Sequence, residues 1–305
     1  MATIETRDKT RLNVKIWGEG PPVVLIHGWP LDGGSWDPVA LALAEGGFRA
    51  IAYDRRGFGR SDQPWYGYNY DTFADDLADV IAATGAHGAA LVGFSMGGGE
   101  IARYLSRHGA GGVSRVALVS SVVPYMAQTP DNPHGVPANT FSEIAEGLRY
   151  DRPHFLRGFF NQFFGQGFIM RPVSSEQIDL AWQTAMQAGL HPTLAAARAF
   201  ATTDFRPDLA AFTVPTLVIH GTADQTVPID ATGREVARRV PHARLVEYEG
   251  AAHGIFASHT ERLISDLLTF LGGDDDTYSD SAESPIRQAM IDEATRETIV
   301  SPGFI

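Results

Sequence analysis

Residues 89 to 99 constrain the fold of this chain more strongly than any other stretch of its 305 residues. They read Ala-Ala-Leu-Val-Gly-Phe-Ser-Met-Gly-Gly-Gly, an apolar run that ends at a Gly-x-Ser-x-Gly sequence, and a helical pattern follows from Glu100 to Arg107. Because Gly93 and Gly97 have no side chains, the chain can pass close to its neighbours while Ser95 projects from the end of a strand. The stretch therefore predicts a strand, a sharp turn and a helix.

Apolar strand patterns alternate with helical patterns on both sides of this turn. The predicted strands are residues 12–17, 23–26, 48–53, 89–92 and 113–119, and the predicted helices are residues 35–45, 71–84 and 100–108. Alternation at this spacing indicates parallel strands joined by right-handed crossovers. Continuous apolar strands further indicate that helices cover both faces of the sheet. We therefore predict an α/β fold.

A long insertion interrupts the alternation after Val119. The next apolar strand pattern is Val214 to Ile219, about 94 residues later, which is much longer than a simple crossover requires. Between them lie Phe-rich helical patterns over residues 140–150, 153–164, 175–188 and 193–202. We expect residues 121–212 to form a helical lid on a core of residues 1–120 and 213–272.

The strand and helix patterns resume after the insertion. They predict a helix over residues 230–239, a strand over residues 244–248 and a final helix over residues 256–271. Residues 274–305 then contain eight acidic and two basic residues. We predict an acidic linker and a carboxy-terminal arm over residues 273–305, with a modest helix from Ile286 to about Thr298. The composition of residues 273–305 fits either a disordered tail or an arm that docks on its own subunit or on a neighbouring one.

Charge and cysteine content exclude several classes of function. The formal net charge is −12 at pH 7 and the chain has no cysteine. The charge disfavours nucleic acid and anionic membranes as partners. Without cysteine there are no disulfides, thiolate metal sites or cysteine nucleophiles. No segment resembles a signal peptide or a membrane span, so we expect a cytoplasmic protein.

Two segments after the insertion provide the partners that a reactive serine needs. Asp224 follows the strand at 214–219 and His253 follows the strand at 244–248, in the chain order Ser, Asp, His that accompanies this type of turn. We predict that His253 takes the proton of Ser95 and that Asp224 fixes the tautomer of His253. His220, in the same strand end as Asp224, is expected to be a core residue with its hydrogen bonds satisfied.

A tetrahedral intermediate on Ser95 also needs hydrogen-bond donors. One expected donor is the backbone N–H of Met96, the residue after the nucleophile, at the start of a helix. The other is assigned to the backbone N–H of Trp29, in the turn that follows the strand at 23–26. His27 is expected to brace this turn rather than to react.

Four segments resemble the bacterial arylesterase and cofactor-free haloperoxidase (perhydrolase) branch of the α/β-hydrolases. They are residues 27–31 (His-Gly-Trp-Pro-Leu), residues 53–62 (Tyr-Asp-Arg-Arg-Gly-Phe-Gly-Arg-Ser-Asp), the Ser95 turn, and residues 203–208 (Thr-Asp-Phe-Arg-Pro-Asp). The resemblance covers roughly residues 2–272. It implies an α/β-hydrolase fold, with a mostly parallel eight-stranded sheet and a helical lid after strand six. It also implies a homo-oligomer that needs no cofactor. The 274–305 arm departs from the family pattern and is a candidate subunit contact.

Pro30 is the informative variant within this resemblance. Proline fixes its own φ and restricts the residue before it, so Pro30 determines where the Trp29 carbonyl points. In the family, proline here accompanies perhydrolysis, in which hydrogen peroxide replaces water and a peracid forms. A purely structural role, stiffening the turn, is the alternative.

The predicted reaction is cleavage of carboxylic esters through an acyl-enzyme, together with formation of peracid from hydrogen peroxide. An aromatic pocket favours short to medium uncharged acyl groups or aryl esters. Most of the Phe side chains in the insertion, Phe168 among them, are expected to be lid core. The candidate substrate contacts are Pro30, Phe94, Val122, Phe159, Phe163, Phe200 and Thr226.

Two other readings remain open. The same three residues serve a lactonase or an amidase, and a non-catalytic small-molecule receptor is the remote alternative. No metal site is expected, because no pair of His and Asp residues has ligand spacing beyond chance.

Overall fold

An eight-stranded sheet forms the centre of the computed structural model, which describes residues 2–167 and 170–273. The strands are β1 (Ala2–Glu5), β2 (Arg11–Trp17), β3 (Pro22–Ile26), β4 (Arg49–Tyr53), β5 (Ala89–Phe94), β6 (Val113–Val119), β7 (Thr216–Gly221) and β8 (Ala243–Tyr248). Their order across the sheet is β1-β2-β4-β3-β5-β6-β7-β8. The pairs β1–β2 and β2–β4 are antiparallel, and every other pair is parallel. The predicted mostly parallel, eight-stranded sheet is thus confirmed.

Helices connect the parallel strands and cover both faces. They are α1 (Asp37–Glu45), α2 (Tyr70–Ala83), α3 (Met96–His108), α4 (Ala138–Phe163), α5 (Ser175–Gln187), α6 (Leu190–Thr202), α7 (Gly233–Arg239), α8 (Ile255–Ser258) and α9 (Thr260–Gly272). Helix α1 packs beside α9, and α2 packs beside α3. All six residues of the central strand β5 are buried, which explains why this strand is a continuous apolar run.

The segment between β6 and β7 contains helices α4, α5 and α6. Helix α4 packs against both α5 and α6. A kink at Asp151, whose φ of −148° and ψ of 78° are not helical, divides α4 into two halves, and Pro153 follows the kink. The halves correspond to the two helices predicted for residues 140–150 and 153–164. Proline has no N–H to donate and clashes with the preceding turn. The Asp151 carboxylate instead accepts the N–H of His154 at 3.1 Å, which caps the second half.

Several predicted boundaries differ from the structure. Strand β1 was absent from the predictions because it is a short, mostly exposed edge strand without an apolar run. Strand β7 begins at Thr216 rather than Val214, and α7 begins at Gly233 rather than Asp230. The predicted final helix is divided at His259 into α8 and α9.

Some predictions fall outside the described part of the chain. These are the acidic linker and helix predicted after residue 273, and Phe168 in the insertion. Within residues 2–167 and 170–273, no helix combines the length and the hydropathy that crossing a membrane would require.

Candidate active site

The predicted serine, histidine and aspartate meet at the carboxyl edge of the parallel sheet. Ser95 lies between β5 and α3, Asp224 follows β7, and His253 follows β8. His253 Nε2 is 3.0 Å from Ser95 Oγ, and His253 Nδ1 is 2.6 Å from Asp224 Oδ2. The relative exposures of Ser95, Asp224 and His253 are 6%, 6% and 1%. The three side chains form a continuous hydrogen-bonded path that is nearly excluded from bulk water.

Ser95, the first residue of this path, has a strained backbone conformation. Its φ is 53° and its ψ is −116°, a conformation that side-chain-bearing residues rarely adopt. The turn also requires close packing: a Cβ added to Gly97 would lie 2.4 Å from the carbonyl oxygen of Ile26 at the end of β3. Glycine at 97 therefore permits the contact between the Ser95 turn and the neighbouring strand.

Both carboxylate oxygens of Asp224 have partners. Oδ1 accepts the backbone N–H groups of Thr226 at 2.9 Å and Val227 at 2.8 Å, while Oδ2 faces His253. Burial alone would raise the pKa of Asp224, but the charge of His253 and hydrogen bonds from His220 and His253 outweigh it and hold this pKa below its usual value. Asp224 is therefore an ionised carboxylate suited to orienting the imidazole and stabilising its protonated form.

Two phenylalanines pack against the imidazole of His253. The ring of Phe94 lies 5.0 Å from that of His253, and the ring of Phe163 lies 4.8 Å away at 83°. Both phenylalanines are completely buried. Their rings restrict the orientation of the base.

The turn after β3 lies directly against Ser95. A Cβ on Gly28 would come within 3.0 Å of Ser95 Cβ. The next residue, Trp29, is anchored through its indole, whose Nε1 donates to Thr193 O of α6 at 2.9 Å. Met96 is the first residue of α3, so its N–H has no acceptor within that helix. The turn that carries Trp29 thus lies beside the serine, and Met96 is next to it in the chain; their role as donors stays a prediction.

His27 braces this turn as a neutral imidazole. Its Nε2 accepts the N–H of Arg55 at 2.9 Å, so the ring hydrogen is assigned to Nδ1, which lies 2.9 Å from Gly28 O. Burial and the nearby Arg55 charge hold the pKa of His27 well below its ordinary value. Gly28 O also accepts the N–H of Leu31 at 3.1 Å, which closes the turn.

A buried ion pair ties the same turn to helix α3. Arg55 Nη2 donates to His27 O at 2.6 Å, and Arg55 Nε pairs with the Glu100 carboxylate. Glu100 also accepts the hydroxyl of Tyr53 at 2.5 Å. Arg55 and Glu100 are 1% and 0% exposed through their side chains, so removing either partner would leave an unpaired buried charge. Sequence reasoning did not assign this network, although Arg55 lies in a segment that carries the family resemblance.

A cavity of about 430 Å³ opens above Ser95 and His253. Its apolar wall includes Trp29, Val122, Met126, Phe155, Phe159 and Phe200. Polar residues of the wall include Glu143, His154, Gln162, Gln225 and Thr226. No Lys or Arg lines the cavity among the residues that the structure describes. Such a site can hold an uncharged, largely apolar molecule with one end at the serine.

The cavity contains part of the predicted substrate-contact set. Val122, Phe159, Phe200 and Thr226 lie in its wall. Phe94, Phe163 and Pro30 do not, so the predicted substrate contact of these three residues is corrected. The two phenylalanines belong to the packing around His253, and Pro30 is buried within the turn after β3.

Sequence reasoning missed other wall residues that lie on the second half of α4. Phe155 and Gln162 lie four residues before and three residues after the predicted contact Phe159, which places all three on one helix face. His154 and Gly158 follow the same spacing. The helical period within the predicted helix at 153–164 is the signal that could have identified this face.

The chain matches a known family over most of its length. The family model described as the alpha/beta hydrolase fold matches residues 21–173 and 187–260. A non-heme chloroperoxidase, CPO-A1 of Kitasatospora aureofaciens, is 42% identical over 273 residues, which cover 89% of this chain and 99% of that protein. The bifunctional esterase/perhydrolase DCH of Acinetobacter calcoaceticus is 36% identical over 274 residues, again covering 89% and 99%.

A solved structure agrees with these sequence matches. The crystal structure of a bromoperoxidase from Bacillus anthracis superposes with a TM-score of 0.86 at 40% identity, and it covers 89% of this chain and 99% of the bromoperoxidase. The similarity therefore extends over the sheet, its helices and the inserted segment together.

Proposed function

The chain belongs to the α/β-hydrolase family, and we propose that it is a serine carboxylic ester hydrolase that also converts hydrogen peroxide to peracids. The observation that carries this proposal is the hydrogen-bonded path from Ser95 through His253 to Asp224 at the floor of an apolar cavity. The chloroperoxidase and esterase/perhydrolase relatives support the same reaction class.

The first half of the reaction forms an acyl-enzyme. Ser95 Oγ attacks the ester carbonyl carbon while His253 Nε2 takes its proton, and the negative charge that develops on the carbonyl oxygen is received by the N–H groups of Trp29 and Met96. The bond to the leaving alcohol then breaks, and His253 returns the proton to the departing oxygen. Asp224 remains ionised and stabilises the transient imidazolium.

The second half divides between two nucleophiles. Water, deprotonated by His253, attacks the acyl carbon, releases Ser95 and yields a carboxylic acid. Hydrogen peroxide in the same position yields a peracid instead. A peracid released into solution can oxidise halide without a haem, which is consistent with the name of the non-heme chloroperoxidase relative.

Pro30 influences whether water or hydrogen peroxide attacks the acyl-enzyme. It lies outside the cavity wall, so it acts through Trp29, which is in the wall. Because proline restricts the conformation of the preceding residue, it sets the direction of the Trp29 carbonyl beside the acyl group.

The cavity wall favours uncharged short to medium acyl groups and aryl esters. The wall side chains are mostly aromatic or aliphatic, and the described wall has one carboxylate, Glu143, and no Lys or Arg to pair with an anionic substrate. The lactonase, amidase and receptor readings receive no comparable support. Homo-oligomeric assembly and a cytoplasmic location remain part of the proposal, and both rest on the sequence and its resemblance alone.

The experiment that tests the proposal measures acid and peracid from one phenyl ester, with and without hydrogen peroxide. We expect peracid to appear with peroxide at the expense of acid. In Ser95→Ala both products should fall together by about 10⁴-fold or more. In Pro30→Leu the ratio should move towards acid. Peracid formation that survives Ser95→Ala would remove the acyl-enzyme from the account, and an unchanged ratio in Pro30→Leu would remove the role of Pro30.

A further inference from the structure

A second histidine contacts the carboxylate of Asp224. His220 is the fifth residue of β7 and is completely buried. Its Nε2 is 2.9 Å from Val227 O and 3.3 Å from Asp224 Oδ2, the same oxygen that faces His253. Val227 in turn donates its N–H to the other oxygen of Asp224. His220 therefore touches both the carboxylate and the loop that delivers it.

The contacts of His220 identify its hydrogen position. A carbonyl oxygen and a carboxylate oxygen are both acceptors, so Nε2 carries the hydrogen. The opposite nitrogen, Nδ1, is buried and has no hydrogen-bond partner among the described residues. A second hydrogen on Nδ1 would be a buried donor of a charged group without an acceptor, which is costly. The ring is therefore neutral. Its unpartnered Nδ1 is contrary to the expectation that all hydrogen bonds of His220 are satisfied.

The surroundings of His220 leave little freedom for the ring. Gly233 at the start of α7 packs against it, because a Cβ there would lie 2.9 Å from Nδ1. On β8, Glu247 is the cross-strand partner of His220, and its carboxylate is held by Arg234 of α7 at 2.8 and 2.7 Å. The charged and titratable groups around His220 thus come from its own loop, from β8 and the loop after it, and from α7.

We propose that His220 is a positioning residue of the Ser95 site, whose neutral Nε2–H holds the 224–227 loop and shares Asp224 Oδ2 with His253. This inference rests on the proposed function. The loop contact keeps Asp224 aimed at His253. The shared oxygen divides the carboxylate's negative charge between two N–H donors, so less of it acts on His253 than in a simple pair.

The test uses two substitutions and a matched control, followed through kcat, KM and the pH profile of phenyl ester hydrolysis. His220→Leu removes the donor. His220→Gln keeps an N–H donor at the same number of bonds from Cβ as Nε2. His242→Leu is the control, because His242 also contacts a backbone carbonyl, Val214 O at 3.0 Å, but it immediately precedes β8, at the opposite edge of the sheet from Ser95.

We expect His220→Leu to lower kcat by about 10- to 100-fold with little change in KM, since His220 is absent from the cavity wall. The acidic limb of the kcat/KM profile should move to higher pH by about 0.5 unit or more, because an undivided carboxylate stabilises the protonated form of the base. His220→Gln should return the acidic limb to its wild-type pH, and His242→Leu should have the kcat, KM and pH profile of the wild type. An unmoved limb, a limb at lower pH, or a failure of glutamine to restore it would overturn the proposal.

A spectroscopic measurement keeps the proposal open to refutation should His220→Leu fail to fold. Nitrogen-15 NMR of histidine-labelled wild-type protein, assigned with His220→Gln, should show a neutral ring protonated on Nε2 for His220 at neutral pH. A charged ring or a ring protonated on Nδ1 would contradict the inference. Wild-type ester turnover that is lost in Ser95→Ala establishes the proposed function independently, so a failure of either idea can be recognised separately.

Discussion

The sheet edge and the inserted helices contribute to the Ser95 site in different ways. At the sheet edge, Ser95, Asp224 and His253 are almost fully buried and held by backbone hydrogen bonds or strained turns. In the inserted segment, the wall residues Glu143 and His154 are exposed side chains on one helix. The carboxyl edge of the sheet therefore determines the chemistry, and substitutions there should lower activity. The inserted segment determines which molecules reach the serine, and substitutions of its wall residues should be better tolerated.

The largest expected effect comes from crowding the sheet edge. In Gly97→Ala, the new Cβ would lie 2.4 Å from Ile26 O, so the Ser95 turn and the neighbouring strand must separate. Because the proposed donors Met96 and Trp29 belong to the Ser95 turn and to the turn after that strand, we expect kcat/KM for a phenyl ester to fall by about 100-fold or more.

Gly111→Ala is the matched control, since nothing lies within 4 Å of an added Cβ at that position. Circular dichroism would establish that both variants are folded. A folded Gly97→Ala enzyme with activity within twofold of Gly111→Ala would show that the edge is more tolerant than we infer.

Two phenylalanines of helix α4 separate the packing of the catalytic base from the lining of the cavity. Phe163 packs on the His253 ring and is absent from the cavity wall, while Phe159, four residues earlier, is in the wall. We expect Phe163→Leu to lower kcat about tenfold for every ester, because the base loses its orientation. Phe159→Leu should instead change the relative rates for acetyl, butyryl and hexanoyl esters severalfold while kcat for the best ester stays near wild type.

The measurement is a series of phenyl esters of increasing acyl length. The reverse pattern, with acyl preference changed by Phe163→Leu and unchanged by Phe159→Leu, would contradict the separation between base packing and cavity wall.

The smallest expected effect concerns charge in the cavity wall. Glu143 is the carboxylate of a wall without a described Lys or Arg, so it should oppose esters whose acyl chain carries a second carboxylate. We expect Glu143→Gln to raise kcat/KM for such an ester about threefold relative to an uncharged ester of equal length, because exposed charges interact weakly. The gain should shrink as salt is added. A gain that does not depend on salt would point to shape rather than charge.

The sequence predicted the sheet edge well for identifiable physical reasons. Apolar strands mark where a parallel sheet ends, and Ser95, Asp224 and His253 each follow such a strand, so their convergence follows from the alternation. The order Ser, Asp, His along the chain then predicted which residue is the nucleophile, which orients the base and which is the base. By contrast, β1 has no apolar run and was not predicted.

The cavity wall was predicted less well because it depends on packing angles that strand and helix patterns do not encode. Phe94 is next to Ser95 in the chain, yet its side chain packs among Trp36, Phe163, His253 and Phe256. The ring of Phe159 contacts Trp29 and lies in the wall, although a Phe-rich helix does not reveal which of its rings face the serine. Likewise, His220 could not be linked to Asp224 from spacing alone, because the contact depends on how the loop folds back.

The central claim is that Ser95 is the nucleophile of this enzyme and that His253 activates it. The most direct measurement is intact-mass analysis and peptide mapping after reaction with an aryl organophosphonate. We predict one adduct per chain, located on Ser95, absent from Ser95→Ala and formed at least about 100-fold more slowly in His253→Gln. An adduct on another residue, or none under conditions in which the wild-type protein hydrolyses a phenyl ester, would contradict the account.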